Sequence, residues 1–205
     1  QPREIYVNLN GQRFMDEGEP NADTRERIAI QQPEWKFWLV FDENALLERN
    51  NDGSENPIII GWNTERIKAE TQKEESFFQA PSINELAKKM GLSPNDLRKT
   101  VNNFNRQVTQ GIDDDFYRDY LNNSITKAPY YAILVHASIL VTFGGIKVNK
   151  ELQLIDQDEK VMEGLYGAGE FLGLGATSGS AFCSGMAITP ALSFGRILGR
   201  KLSNI

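Results

Sequence analysis

The segment Gly167-Ala-Gly169-Glu170-Phe-Leu-Gly173 has the glycine density of a nucleotide-binding loop. It departs from the dinucleotide fingerprint G-x-G-x-x-G, whose third glycine would fall at Leu172, and a Gly/Ser loop rather than a helix follows it. Two readings stay open: a loop whose missing Cβ atoms admit the backbone close to a large planar ligand, or an ordinary tight turn. Further on, Ala187, Ala191, Gly195 and Gly199 recur every fourth residue, a stripe of small side chains along a helix expected from about Met186 to Leu202. An interior glycine costs a helix about 1 kcal/mol relative to alanine. The stripe is therefore expected to face inward, against a sheet, another helix or a cofactor. Pro190 fits the first turn of that helix, whose free N–H groups favour an anion.

Other reactive side chains are few. A single histidine, His136, and a single cysteine, Cys183, cannot build a Cys/His zinc site or an intrachain disulfide. A reducing compartment, with the cytoplasm favoured, is the expectation. His136 reads as a structural strand residue and Cys183 as a small packing residue. The 22 Lys and Arg residues are outnumbered by 28 Asp and Glu, a net charge of −6, and the basic residues are scattered among acids as on a solvated surface. Nucleic-acid binding needs a concentrated basic face and is excluded. No apolar run approaches the roughly 18 residues of a membrane span. The chain opens on Gln1 rather than Met, so the lack of a signal peptide says nothing about its compartment.

The elements that must position these residues change character along the chain. Glu4-Ile-Tyr-Val-Asn8 and Asn10-Gly-Gln-Arg-Phe14 read as a hairpin on an Asn-Gly turn, and Lys36-Phe-Trp-Leu-Val-Phe41 as a buried strand. Asp42 caps a short helix expected to reach Arg49. Ser82-Ile-Asn-Glu85 is a capping box for a helix that ends at Gly91, and Ser93-Pro94-Asn95-Asp96 opens another. Leu97, Val101, Phe104 and Val108 give that second helix a buried face. Strands are then expected over 130–135, 139–142, 145–148 and 152–155, with a loop from Leu165. About half of the 17 glycines fall between Gly164 and Gly199, and a domain boundary is placed near residue 141.

Thr142-Phe-Gly-Gly-Ile-Lys-Val148, Gly164-Leu-Tyr-Gly-Ala-Gly-Glu170 and Ala191-Leu-Ser-Phe-Gly-Arg196 resemble the closing motifs of the FAD-binding fumarate reductase/succinate dehydrogenase flavoprotein family, which includes 3-ketosteroid dehydrogenases. Val7-Asn8 through Gly11-Gln-Arg-Phe-Met-Asp-Glu17 is similar to that family's N-x-x-G-x-R-F-x-x-E stretch. The resemblance implies an α+β capping domain over 1–141, without its first strands, followed over 142–205 by the C-terminal β-strands and helix of an α/β, Rossmann-like FAD-binding domain. It implies FAD as cofactor, a small-molecule substrate, and as partner the N-terminal FAD-binding portion of the same parent chain. That portion carries the family's G-x-G-x-x-G unit, so these 205 residues by themselves are expected to bind FAD weakly and to be inactive.

By the same resemblance, Thr142, Glu170, Ala187 and Ile188 would contact FAD, and the helix start would rest the negative N1/O2 edge of the reduced flavin. The family reaction moves a hydride between FAD and a carbon of a C–C bond next to a carbonyl or carboxyl group. Its fumarate reductases use the arginine of a T-T-R-D motif as proton donor. Asp23-Thr24-Arg25-Glu26 is the nearest match, which makes Arg25 the candidate donor with Asp23 and Glu26 to restore its proton; a salt-bridged helix start is the competing reading. Phe182 and Gly185 would line the substrate. Val141 stands where dicarboxylate reductases place a histidine, and Phe182 where they place a substrate-binding arginine. The pocket is accordingly expected to be more apolar than a fumarate site. The alternative function class is a non-catalytic α+β binding module without flavin.

Overall fold

The computed structural model describes residues 1–138, 141–175 and 185–203. Phe182 and Cys183, and the first half of the strand expected over 139–142, lie outside them. The chain divides into two compact units, Gln1–Ala137 and Ser138–Ile205.

The first unit is mixed α+β. Strands β1 (Ile5–Asn8), β2 (Lys36–Asp42), β3 (Phe77–Ala80) and β4 (Tyr130–His136) form an antiparallel sheet in the order β1-β2-β4-β3. Strands β2 and β4 pair along their whole length, Lys36 opposite His136 and Asp42 opposite Tyr130. Alternation along the strands sends Ile5, Val7, Trp38, Val40 and Ala132 to one face. There they pack on Leu86 and Ala87 of α4 (Ile83–Lys89) and on Leu97, Val101 and Phe104 of α5 (Pro94–Gln110). Phe41, Tyr131 and Ile133 point the other way, onto Ala45 and Leu46 of α2 (Glu43–Leu47) and Ile67 of α3 (Thr64–Thr71). The remaining helix, α1 (Ala22–Ala29), buries none of its residues.

Local capping chemistry sets these helices. Asp42, Ser82 and Ser93 accept hydrogen bonds from the N–H groups of Ala45 (3.0 Å), Glu85 (3.2 Å) and Asp96 (3.4 Å). Helix α2 stops at Leu47, short of Arg49, because Glu48 turns to extended backbone. The Asn-Gly turn forms, with Gly11 N–H donating to the Asn8 carbonyl (3.0 Å), but a single bridge, Val7 to Arg13, follows it. Residues 10–14 are thus a turn and not the expected strand.

Arg13 leaves the ladder for a buried ion network. Its Nε and Nη2 donate to the two carboxylate oxygens of Glu17 (2.8 and 2.7 Å), and Nη2 also meets Asp113 (2.7 Å). Glu17 accepts a further bond from Arg118 (3.0 Å) and one from the Tyr6 N–H (3.0 Å). Arg118 also donates to the carbonyls of Tyr120 (2.7 Å), Glu4 (2.9 Å) and Pro2. All four charged side chains are at most 5% exposed. Arg13 and Arg118 therefore correct the expectation that the basic residues are uniformly surface groups. Burial pulls the Arg13 guanidinium down, but its bonds to Glu17 and Asp113 outweigh this and raise it. Burial likewise pushes the Asp113 carboxyl up, yet Arg13 and the N–H groups of Phe116 and Arg118 hold it below the ordinary aspartate range.

The second unit is built on backbone contact. A two-stranded antiparallel sheet pairs β5 (Gln153–Ile155) with β6 (Val161–Tyr166), so a strand occupies the start of the stretch expected as loop. Of residues 145–148, expected as a strand, only Val148 makes a bridge, to Leu154. Lys147 O also accepts from the Ile155 N–H (3.0 Å), and the residues before it pair elsewhere. Ile146 N–H donates to Phe171 O (2.9 Å), Leu174 N–H to Thr142 O (3.0 Å) and Gly175 N–H to Phe143 O (3.1 Å). The main chains approach so closely that a Cβ on Gly145 would lie 2.1 Å from the Leu172 carbonyl carbon. One on Gly173, at φ +73°, would lie 2.5 Å from that of Gly144. The unit closes on helix α6 (Ile188–Leu202).

Two expectations follow. Removing one partner of a buried charge network strands the others, at about 3–5 kcal/mol. Arg118→Leu should lower urea stability by that order, read by tryptophan fluorescence, since Trp35, Trp38 and Trp62 all lie in the first unit. Because the Asp113 carboxyl is depressed on folding, its contribution is present above the unfolded aspartate range and lost as pH falls through the folded value. Asp113→Asn should therefore flatten the acid limb of the stability curve. In the second unit, Gly145→Ala should accelerate amide exchange at Ile146, Leu174 and Gly175. Gly144→Ala, whose Cβ would meet nothing within 4 Å, should leave it unchanged.

Candidate functional site

The paired segments 142–146 and 171–175 form a ledge whose outer edge is accessible. Thr142, Phe143 and Gly144 are exposed on one segment, and Phe171 on the other. Glu170, also exposed, sits in the 3₁₀ turn Gly169–Leu172 just before it. That turn packs on α6: a Cβ on Gly169 would lie 3.7 Å from the Ala191 methyl. Ala187 caps α6 and Ile188 begins it, both exposed, and Gly185, at φ +85°, accepts from the Thr189 N–H (2.9 Å). The turn thus carries Glu170 next to the helix that begins at Ile188. Accessible main chain, the Glu170 carboxylate as acceptor and the N–H groups of Ala187 and Ile188 as donors suit the ring edge of a flavin; Thr189 and Ala191 spend their N–H groups on Gly185 and Ala187, and Pro190 has none. Among the described residues there is no full pyrophosphate cradle, and those present fit part of an FAD molecule.

The small-residue stripe does not face inward. Within this unit Ala187, Gly195 and Gly199 are exposed, and nothing lies within 4 Å of the Cβ position of either glycine. Only Ala191 is partly covered. The packed face is Pro190, Ala191, Phe194, Leu198 and Lys201, because Phe194 and Leu198 bury more apolar area than a line of methyl groups and hydrogens can. A second apolar stripe, Ile188, Leu192, Gly195, Gly199 and Leu202, stays exposed, with Leu192 at 68%. The helix is apolar on two sides and covered on one. Val161, Met162 and Leu165 of β6 are exposed as well.

In the first unit, Arg25 lies on the exposed surface of α1. Asp23, expected to restore its proton, is instead bonded to Arg27 (2.8 Å), one turn on. The relay is therefore not assembled through Asp23, and the segment has the form of a salt-bridged helix start. Arg25 does sit close enough to Tyr6 to act on it. Burial, then the charges of Glu4 and Glu17, push the Tyr6 hydroxyl up to about 12, against the pull of Arg25 and Arg118. His136 ends β4, exposed, as a strand residue. Val141 is half-buried in the second unit. Among the described residues no cluster of His, Cys, Asp and Glu could hold a metal, and no helix is long and apolar enough to cross a membrane.

Sequence reasoning missed the interior role of Arg13, Glu17, Asp113 and Arg118. The available signals were the four-residue spacing of Arg13 and Glu17, which a charge count treats as a surface pair, and the place of both residues in the N-x-x-G-x-R-F-x-x-E stretch.

Comparison with known proteins places this geometry. Residues 1–186 match the family described as "FAD binding domain". The chain is 30% identical over 201 residues to the NADH:acrylate oxidoreductase of Vibrio harveyi, covering 98% of this chain and 18% of that protein. It is 28% identical to the 3-oxosteroid 1-dehydrogenase of Mycolicibacterium smegmatis, covering 95% of this chain and 37% of that one. Its fold superposes on a flavocytochrome c3 fumarate reductase in its open conformation with a TM-score of 0.67 and 28% identity, over 95% of this chain and 31% of the other. In each case the chain spans well under half of the relative's length. It belongs to the FAD-binding flavoprotein family of the fumarate reductases and 3-ketosteroid dehydrogenases, and corresponds to part of such a protein.

Proposed function

We propose that the first unit is the capping domain, and the second the closing segment of the FAD-binding domain, of a flavin-dependent dehydrogenase or reductase. The reaction is hydride transfer between FAD and a carbon of a C–C bond next to a carbonyl or carboxyl group. The observation that carries this reading is the glycine-built ledge of residues 142–146 and 171–175, which brings accessible main chain and Glu170 beside the start of α6. FAD, when bound, supplies the hydride chemistry. In this reading Thr142 and Glu170 contact it, and Ala187 and Ile188 present their own N–H groups to it. The role of Ala187 and Ile188 rests on the helix start and the family resemblance, since the inward stripe first invoked for it is not formed. Arg25 remains the candidate proton donor, with Glu26 rather than Asp23 as the carboxylate free to serve it. Gly185 and Phe182 would line the substrate.

The bare stripe of α6 supports the partner assignment. A helix with Leu192 and Ile188 in water gains by covering them, and the remaining FAD-binding portion of the same parent chain would do so. Visible flavin absorption in the purified parent, reduced by substrate, tests the whole reading; a colourless parent would favour the non-catalytic binding module. Leu192→Asp should cause the parent to lose flavin, while leaving the tryptophan-reported stability of the present chain within about 0.5 kcal/mol. Retained flavin in that variant would count against the proposed cover.

Substrate preference follows from Val141 and Phe182, which offer no charge where a dicarboxylate would need one. The relatives act, by name, on acrylate and 3-oxosteroids as well as on fumarate. The parent should favour a less charged, bulkier unsaturated acid or ketone over fumarate by about tenfold or more in kcat/KM. Reoxidation of the reduced enzyme by fumarate and by such compounds provides the comparison, and equal or better turnover of fumarate would overturn the preference.

A further inference from the structure

The four-stranded sheet of the first unit has an edge at β1 and an edge at β3, and they differ. At β1 the outward N–H groups are answered: Tyr6 donates to Glu17 (3.0 Å) and Asn8 to the Gln12 carbonyl (2.9 Å). At β3 they are not. Leu134 N–H donates to the Ser76 carbonyl (2.7 Å), and Phe77 lies opposite Ile133, so the bonded pairs continue at Phe78 and Ala80. The alternation of an antiparallel ladder then turns the N–H and C=O groups of Phe77 and Gln79 away from β4. Among the described residues none of these groups has a hydrogen-bond partner. An open hollow of about 670 Å³ runs beside them, lined in part by Glu74, Gln79, Ala80, Pro81 and Lys89, so the edge is accessible within the first unit.

A bare strand edge is a template for another strand, and the spacing of its free groups selects which. Phe77 and Gln79 stand symmetrically about Phe78. A two-fold axis through Phe78, perpendicular to the sheet, sets Phe77 of one copy opposite Gln79 of another, and each such pair exchanges both N–H···O bonds. The outward groups of both edges are then all answered. The same register sets Glu75 opposite Pro81 rather than another acid, and Pro81, with no N–H to give, ends the pairing. The surface charges agree. Helix α4 packs over this edge, Leu86 and Ala87 sharing a core with Ala80, and it runs back along the strand until Lys89 pairs with Glu74. Under the two-fold axis the α4 helices of the two copies lie antiparallel on one face of the joined sheet. The exposed Glu85 in the first turn of each then meets the exposed Lys88 and Lys89 in the last turn of the other. We propose that β3 is a self-association edge, through which two copies of this chain join their sheets into one continuous antiparallel sheet. The proposal needs no flavin and is independent of the reaction assigned above.

Sedimentation equilibrium of the intact 205-residue chain carrying Leu192→Asp, which removes the bare stripe of α6 as a second route to association, is the test. A reversible monomer–dimer equilibrium is expected as concentration rises. Amide exchange at Phe77 and Gln79 should slow as the dimer fills, while Phe78 and Ala80, bonded to β4, exchange at one rate throughout. Gln79→Pro removes only an outward N–H that β4 does not use, and should weaken dimerisation about tenfold or more. Glu85→Lys, at an exposed residue, sets like charges against each other and should weaken it severalfold; it decides the matter should Gln79→Pro fail to fold. A chain that stays monomeric at every concentration overturns the proposal and leaves the edge to a strand of some other chain. So does a dimer whose Phe77 and Gln79 amides exchange as in the monomer, or one that a folded Gln79→Pro or Glu85→Lys fails to weaken.

Discussion

The first unit depends on Glu17, a carboxylate with no access to water that is surrounded by donors. Both of its oxygens are held by Arg13, and Arg118 and the Tyr6 N–H complete the shell. Burying such a charge is costly unless nearly every lone pair is answered. Here each answer ties down a different stretch of chain: the first strand through Tyr6, the turn after it through Arg13, and the loop beyond α5 through Arg118. Asp113 then returns the loop to Arg13. Segments more than 100 residues apart are joined by one side chain, and the apolar core of β1, β2, β4, α4 and α5 closes beneath the result.

The second unit solves a different problem. Among its described residues the core is small, with Leu152, Leu172 and Leu174 as the buried large apolar side chains. Regularity comes instead from main chain bonded to main chain at distances only glycine allows. Its unspent apolar surface, along β6 and the outer stripe of α6, marks it as a component of something larger, in agreement with the fraction of each relative that the chain spans.

What the sequence disclosed followed the range of the forces involved. The caps at Asp42, Ser82 and Ser93 were legible because a cap is settled within four residues, and β2 and β4 because their alternation is written in the strands themselves. The two glycine motifs were legible as motifs, but not as partners of each other, since the clash that excludes a Cβ at Gly145 comes from Leu172, far along the chain. The rotation of α6 was misjudged because the helix has two apolar faces and the sequence does not say which finds cover first. Arg13 and Arg118 were read as surface charges because a guanidinium in water and one inside a carboxylate shell are the same letter. Of the candidate site, Thr142, Glu170, Ala187 and Ile188 are each exposed in the second unit, whereas the expected Asp23–Arg25 relay gave way to a local bond to Arg27.

The ledge of residues 142–146 and 171–175 also divides what can change over evolutionary time from what cannot. Its joint has no side chains in it, so no substitution can adjust the spacing gradually; at Gly145 and Gly173 any Cβ collides with backbone. The side chains that project from it are under no such restriction. Phe143 and Phe171 are 57% and 59% exposed, so a replacement there meets no such collision with backbone. A ledge of this kind lets the side chains that it displays change while the glycine frame that holds them stays fixed.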